Sequence, residues 1–168
     1  MKLSPIQLLE SNIEVLSIKR DFDGDDAPER SLTTSLDLQV YKNVEQVNDY
    51  WNEDEKLEPP ELRNRTYEVT LGIRTPPQKN FEQYHFEIVV TGVIVCLPEN
   101  FQHKSVPDMV HEYGLTLLYG IIREQFAATT SRMRGGTKML PTLSFIGETD
   151  KPIKSELLEP AAKPAKQK

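Results

Sequence analysis

The stretch "RTYEVTLGIRTPPQKNFEQYHFEIVVTGVIVCL", residues 65–97, alternates with a period of two on either side of a proline pair. Tyr67, Val69, Leu71 and Ile73 share one face of the first run. In the second, Tyr84, Phe86, Ile88 and Val90 oppose His85, Glu87, Val89 and Thr91. Successive strand residues point to opposite faces, so each run reads as a strand. The "TPPQKN" turn between them makes the pair an antiparallel hairpin.

Upstream of the hairpin, "SLDLQV", residues 35–40, sets Leu36, Leu38 and Val40 against Asp37 and Gln39, a half-buried strand. Residues 11–22, "SNIEVLSIKRDF", read as another strand. Ile13 and Val15 alternate, then Leu16 and Ile18 continue on the opposite phase, which implies a bulge or burial on both faces. The expected sheet is mostly antiparallel and four-stranded, with its strands side by side in chain order. Residues 42–66 read as an acidic inserted connection, with seven acids from Glu45 to Glu61 against Lys56. Its start, "VEQVNDYW", suits a short helix.

Downstream, the period becomes helical from about Asp108 to Met133. Leu115, Leu118, Ile122, Phe126 and Thr129 fall on one stripe, with Leu117, Ile121 and Ala128 beside it. Gly135-Gly136 ends the helix, and "MLPTLSFIGE" continues as an extended apolar segment. One helix covers one face of a sheet. Val89, Val93 and Val95 on the other face, and the helix stripe itself, therefore call for a partner, and self-association supplies one. The fold class is α+β: a four-stranded antiparallel sheet with a long C-terminal helix on one face, assembling into a homo-oligomer. Residues 1–148 form the domain, and the Pro/Ala/Lys-rich 149–168 form a disordered tail.

Composition narrows the function classes. The chain has 168 residues, 38% hydrophobic and 27% charged, with a net charge of −6. Its pI near 5.2 argues against general nucleic-acid binding, because phosphates repel an acidic surface. A single cysteine, Cys96, allows no intrachain disulfide and fits a reducing compartment. No apolar run approaches the roughly 20 residues of a membrane span. The N-terminus lacks the apolar core and cleavage site of a signal peptide. A cytoplasmic location without membrane insertion is expected.

Candidate chemical sites fail on spacing. "DFDGDDAPER", residues 21–30, starts like a calcium loop with Asp21, Asp23 and Asp25. The sixth position is Asp26 and the twelfth Leu32, so the turn glycine and the bidentate glutamate are both absent. His85, His103, His111 and Cys96 show no zinc spacing. Cys96 lacks an orienting motif for nucleophilic work and reads as a buried apolar cysteine. "GGTK", 135–138, follows a helix instead of opening one, contrary to a phosphate loop. Arg123, Arg132 and Arg134 suit the helix C-terminal dipole. The expectation is a protein that is not an enzyme, with no cofactor and no metal.

In order along the chain, Tyr67-Glu68-Val69, Arg123-Glu124, Arg134-Gly135-Gly136 and "LPTLSF" at 140–145 resemble the protein-export chaperone SecB family. The likeness runs loosely from residue 11 to 146. Departures from the family pattern are the lone Trp51, outside the crossover loop, and Thr137-Lys138-Met139 after the glycines. The resemblance implies an ATP-independent holdase, a homotetramer built as a dimer of dimers, that binds unfolded polypeptides in apolar grooves and passes preproteins to the SecA motor. Groove residues by family position are Leu32, Leu36, Val40, Tyr41, Met139, Leu140 and Leu143, for each of which plain core packing is the alternative. Leu115, Leu118, Ile122 and Phe126 are assigned to the oligomer interface. The motor's acidic docking face maps to Asp23 and Glu87, with Lys19 reversing a third acidic position. The alternatives are a chaperone dedicated to the antitoxin of a toxin–antitoxin pair, and a non-chaperone scaffold for one folded partner.

Overall fold

The computed structural model describes residues 4, 6–20, 38–47, 65–76, 83–97, 105–134 and 136–145. Its strands are β1 (Ile6–Arg20), β2 (Gln39–Gln46), β3 (Thr66–Arg74) and β4 (Tyr84–Cys96). All pairings are antiparallel, and the spatial order is β1-β4-β3-β2. The chain-order arrangement expected from the sequence is thus corrected: β1 lies beside β4. The reason is in β4 itself, whose last five residues, Gly92 to Cys96, are buried irrespective of the face they point to. At a sheet edge that run would leave apolar surface and unpaired amides open; between β1 and β3 both its backbone edges are satisfied.

The change of phase in β1 is a bulge. Register shifts occur between Leu8 and Glu10 and between Ile13 and Val15. The second places Ile13, Leu16 and Ile18 opposite Val90, Ile88 and Phe86, while Val15 opposes the outward Val89. β2 sits further along the chain than the 35–40 run. Lys42 to Gln46 pair with Leu71 to Tyr67, so the first five residues of the expected acidic connection belong to the sheet, and Val44–Gln46 are extended, not helical. Their alternation explains it, since Val44 turns onto the core and Glu45 outward. The remainder of that connection, the 21–30 stretch and the 149–168 tail lie outside the described residues.

The helical region begins at Ser105, whose hydroxyl accepts the Asp108 amide at 3.3 Å and donates to its carboxylate at 2.6 Å. α1 (Val106–Met109) runs through a π-helical segment, Val110–Gly114, into α2 (Leu115–Ser131). Within α2 the regular 3.6-residue period brings Tyr119 and Thr130 inside with Leu115, Leu118, Ile122 and Phe126, and leaves Thr129 out. Phe126 packs on Phe86 and Tyr84 with ring centroids 4.9 and 6.0 Å away. After Gly136, at φ 77°, the chain returns extended along α2. Tyr119 Oη donates to the Pro141 carbonyl, and Arg123 Nε to that of Leu140 at 3.0 Å. The Lys138 amide donates to Thr130 Oγ1 at 3.0 Å. Leu140 and Phe145 are buried by this return.

Helix and sheet approach closely at two glycines. A Cβ at Gly92 would stand 2.8 Å from Leu118 Cδ2, 2.9 Å from Leu8 Cδ1 and 3.2 Å from the Glu10 carbonyl oxygen. One at Gly114 would stand 2.7 Å from Ile94 Cδ1. Gly92→Ala is therefore expected to lower unfolding free energy by about 1–3 kcal/mol through overpacking. Gly120→Ala, where no atom lies within 4 Å, should instead raise it by up to about 1 kcal/mol through helix propensity. Urea titrations of the two variants check both signs.

Candidate functional site

Among the described residues, large apolar side chains remain at the surface on several elements. β1 exposes Leu9, Ile13, Val15 and Leu16; the helical region exposes Tyr113 and Leu117; and Val40 and Met139 stand 38% and 57% open. Val40 opposes Ile73 in the register and so turns to the helix side of the sheet. Met139 belongs to the segment hydrogen-bonded along α2. Leu38 and Leu143 are partly buried against the core.

The described groove residues expected from the sequence do not all share one surface. Val40 and Tyr41 are consecutive in β2 and point to opposite faces, so one groove cannot use both side chains. Tyr41 opposes Gly72 on the outer face. Leu140, 1% exposed, is core. Leu32 and Leu36 lie outside the described residues, as does Asp23. Leu115, Leu118, Ile122 and Phe126, expected at subunit contacts, pack inside the chain's own core and have no surface left for a second chain. The large apolar side chains of the described helical region that do reach solvent are Tyr113 and Leu117. The β1 residues were not read as a surface; the broken alternation around Ile13–Ile18 was their signal. Of Val89, Val93 and Val95, for which an external partner was expected, Val93 and Val95 are already covered within the single chain at 6% and 3% exposure, while Val89 stays half-buried.

Charge on the outer face is divided by row. Glu10, Val93, Glu68 and Glu45 line up across the four strands, and the Asn43 amide donates to Glu45 at 2.8 Å. Two rows further on come Val15, Val89, Gly72 and Tyr41, then Ser17, Glu87, Arg74 and Gln39, with Lys19 opposite His85 beyond. Glu87 is exposed but stands directly across from Arg74, whose Nε donates to Gln39 at 2.7 Å. The acid expected at a motor-docking face thus sits beside a cation.

Titratable groups inside the molecule serve packing. Burial pushes the Cys96 thiol up, with Arg65 opposing in part, and Cys96 is fully buried in the core. A protonated, enclosed thiol is a poor nucleophile. Burial and the neighbouring Cys96 raise Tyr67. Burial raises Tyr119 to about 12, against the pull of Arg123, which keeps its hydroxyl a donor to Pro141. Among the described residues no group of three or more His, Cys, Asp or Glu is placed to hold a metal ion. No described helix is long and apolar enough to cross a membrane.

The chain matches no protein-family model and no curated protein. Solved structures similar to it include a SecB-like chaperone of Mycobacterium tuberculosis in complex with a ChAD peptide from an antitoxin. The likeness has a TM-score of 0.48 at 13% identity and covers 83% of this chain and 91% of that one.

One group here sets a pH dependence. His111, in the π-helical segment, has a buried Nδ1 with no hydrogen-bond partner among the described residues. Burial, then Lys42 on β2, lowers its pKa below 6.5, and Asp108 on α1 opposes them. The unfolded chain therefore binds the proton first as pH falls. Stability from this group is complete above about pH 6.5 and is lost below it. Parent protein should lose stability between pH 7.5 and 5.5 relative to His111→Gln, as read by urea midpoints at each pH.

Proposed function

We propose that this chain is a SecB-like, ATP-independent holdase that keeps unfolded polypeptide segments from aggregating. The observation that carries the reading is the apolar surface left open on the folded chain, above all Val40 and Met139 on the helix side of the sheet. Holding an unfolded segment needs tolerant apolar contact and no reacting group. Met139 suits it because an unbranched thioether adapts to varied partners. Leu32 and Leu36, by family position, belong to client contact in the same reading, and Leu143 is partly buried against the core.

Self-association belongs to the same reading. The assembly is a homotetramer, formed through the outward helical residues Tyr113 and Leu117 and the exposed apolar side chains of β1.

Of the two client classes, a dedicated antitoxin segment is the better supported. Glu87, the one described residue of the expected SecA-docking pair, is offset by Arg74 across the strand, which weakens its attraction for a basic partner. Export delivery remains the alternative, and Asp23→Lys with Glu87→Lys tests it: reduced capture of purified SecA supports export, and no capture by the parent excludes it.

The chaperone reading itself predicts that the protein suppresses light scattering of reduced insulin at near-stoichiometric ratio without nucleotide. Val40→Glu with Met139→Glu should weaken the apparent affinity for this client about tenfold, or ~1.4 kcal/mol, with far-UV circular dichroism unchanged. Absence of suppression, together with stoichiometric capture of one folded protein, points instead to a scaffold.

A further inference from the structure

The outer sheet face carries a cleft that the holdase surface does not use. Its floor is Gly72 on β3, and its walls are Tyr41 on β2 and Val89 on β4. A Cβ at Gly72 would stand 3.2 Å from Val89 Cγ2 and 3.5 Å from both Cβ and Cδ1 of Tyr41. The missing side chain therefore makes the depression. The cleft is a half-open depression of about 70 Å³, room for one apolar side chain, with the peptide units on either side of it lying along the rim. At one end lie Arg74 and Glu87, directly paired across β3 and β4. Gln39 Oε1 engages Arg74 Nε, which fixes the guanidinium along the rim.

We propose that this cleft is a second peptide subsite, which takes one uncharged apolar side chain of an extended polypeptide while the Arg74–Glu87 pair holds its backbone amide. The rim chemistry selects this occupant. A partner cation drawn to Glu87 meets Arg74, and a partner anion drawn to Arg74 meets Glu87. A neutral peptide unit meets neither repulsion, because its carbonyl accepts from the guanidinium and its N–H donates to the carboxylate. The Tyr41 ring gives the side chain a flat apolar wall at low entropic cost.

The subsite rests on the holdase reading and adds to it a separate anchor on the opposite side of the sheet. A client long enough to pass round the edge at β2 then engages both faces, and linked weak contacts multiply in affinity.

The test uses the full chain labelled with ¹⁵N and titrated with N-acetylphenylalaninamide, N-acetyl-lysinamide and N-acetylglutamic acid amide. The expected result is saturable shifts at the Tyr41, Gly72 and Val89 amides with the phenylalanine probe, in the millimolar range. Both charged probes should bind at least fivefold more weakly. Gly72→Val fills the cleft and should abolish the shifts, and Arg74→Gln should weaken binding at least fivefold while leaving the walls in place. Should Gly72→Val fail to fold, Arg74→Gln decides. Shifts located elsewhere, shifts unaffected by the folded variants, or equal binding of the charged probes overturn the subsite. Reduced-insulin suppression by the same proteins separates the two readings. Suppression by the parent without cleft shifts sinks the subsite alone. Cleft shifts without suppression sink the holdase reading and leave the cleft a peptide site.

Discussion

The close approach of α2 to β4 at Gly92 is the constraint on which the rest of the structure depends. Leu118 from the helix and Leu8 from β1 both reach into the space over that glycine. The contact fixes the helix over the centre of the sheet and draws β1 against β4 in the same step. Gly114 repeats the arrangement one helical turn earlier, over Ile94. With the helix seated so closely, its whole apolar stripe is consumed by the chain's own sheet, and Phe126 closes the far end on Tyr84 and Phe86. Interior packing at this density leaves no part of that stripe for another molecule.

What remains open follows from that geometry. The return segment after Gly136 can reach α2 only along its Tyr119–Arg123–Thr130 side, where three hydrogen bonds hold it. Those bonds pin the backbone, so within one short segment Leu140 is buried while Met139 is turned out. On the sheet, β2 lies at an edge, which leaves Val40 open on the helix side although its register partner, Ile73, is buried. The candidate surface is therefore a by-product of where the helix stops covering the sheet.

The sequence made the α+β class, the antiparallel pairing of β3 with β4 and the helix legible because each rests on a local period. Strand order was not legible, since pairing of β1 with β4 joins residues about eighty positions apart and leaves no local trace beyond β4 being apolar on both faces. The bulge in β1 was readable from the change of phase at Val15–Leu16, but the strand's exposure was not. The expected groove positions include residues that the strand separates. Family position alone does not resolve alternate residues of a strand, and Val40 and Tyr41 part company for that reason. The helix stripe was read correctly as apolar and assigned to the wrong contact, because periodicity identifies a buried face without saying what buries it.

Exposed apolar surface and an open sheet edge are hazards as well as tools. β1 is fifteen residues long, lies at an edge, and carries Leu9, Ile13, Val15 and Leu16 exposed. A long exposed edge strand can template pairing with an extended chain. Two features restrain it here. The register shifts at Leu8/Glu10 and Ile13/Val15 twist the strand and interrupt a long ladder. Glu10 and Glu14 place charges between the apolar residues, Lys19 follows them, and the net charge of −6 on the whole chain opposes indiscriminate association. The proposed holdase reading needs the same balance, because a surface apolar enough to hold unfolded chains must be charged and irregular enough not to polymerise with them.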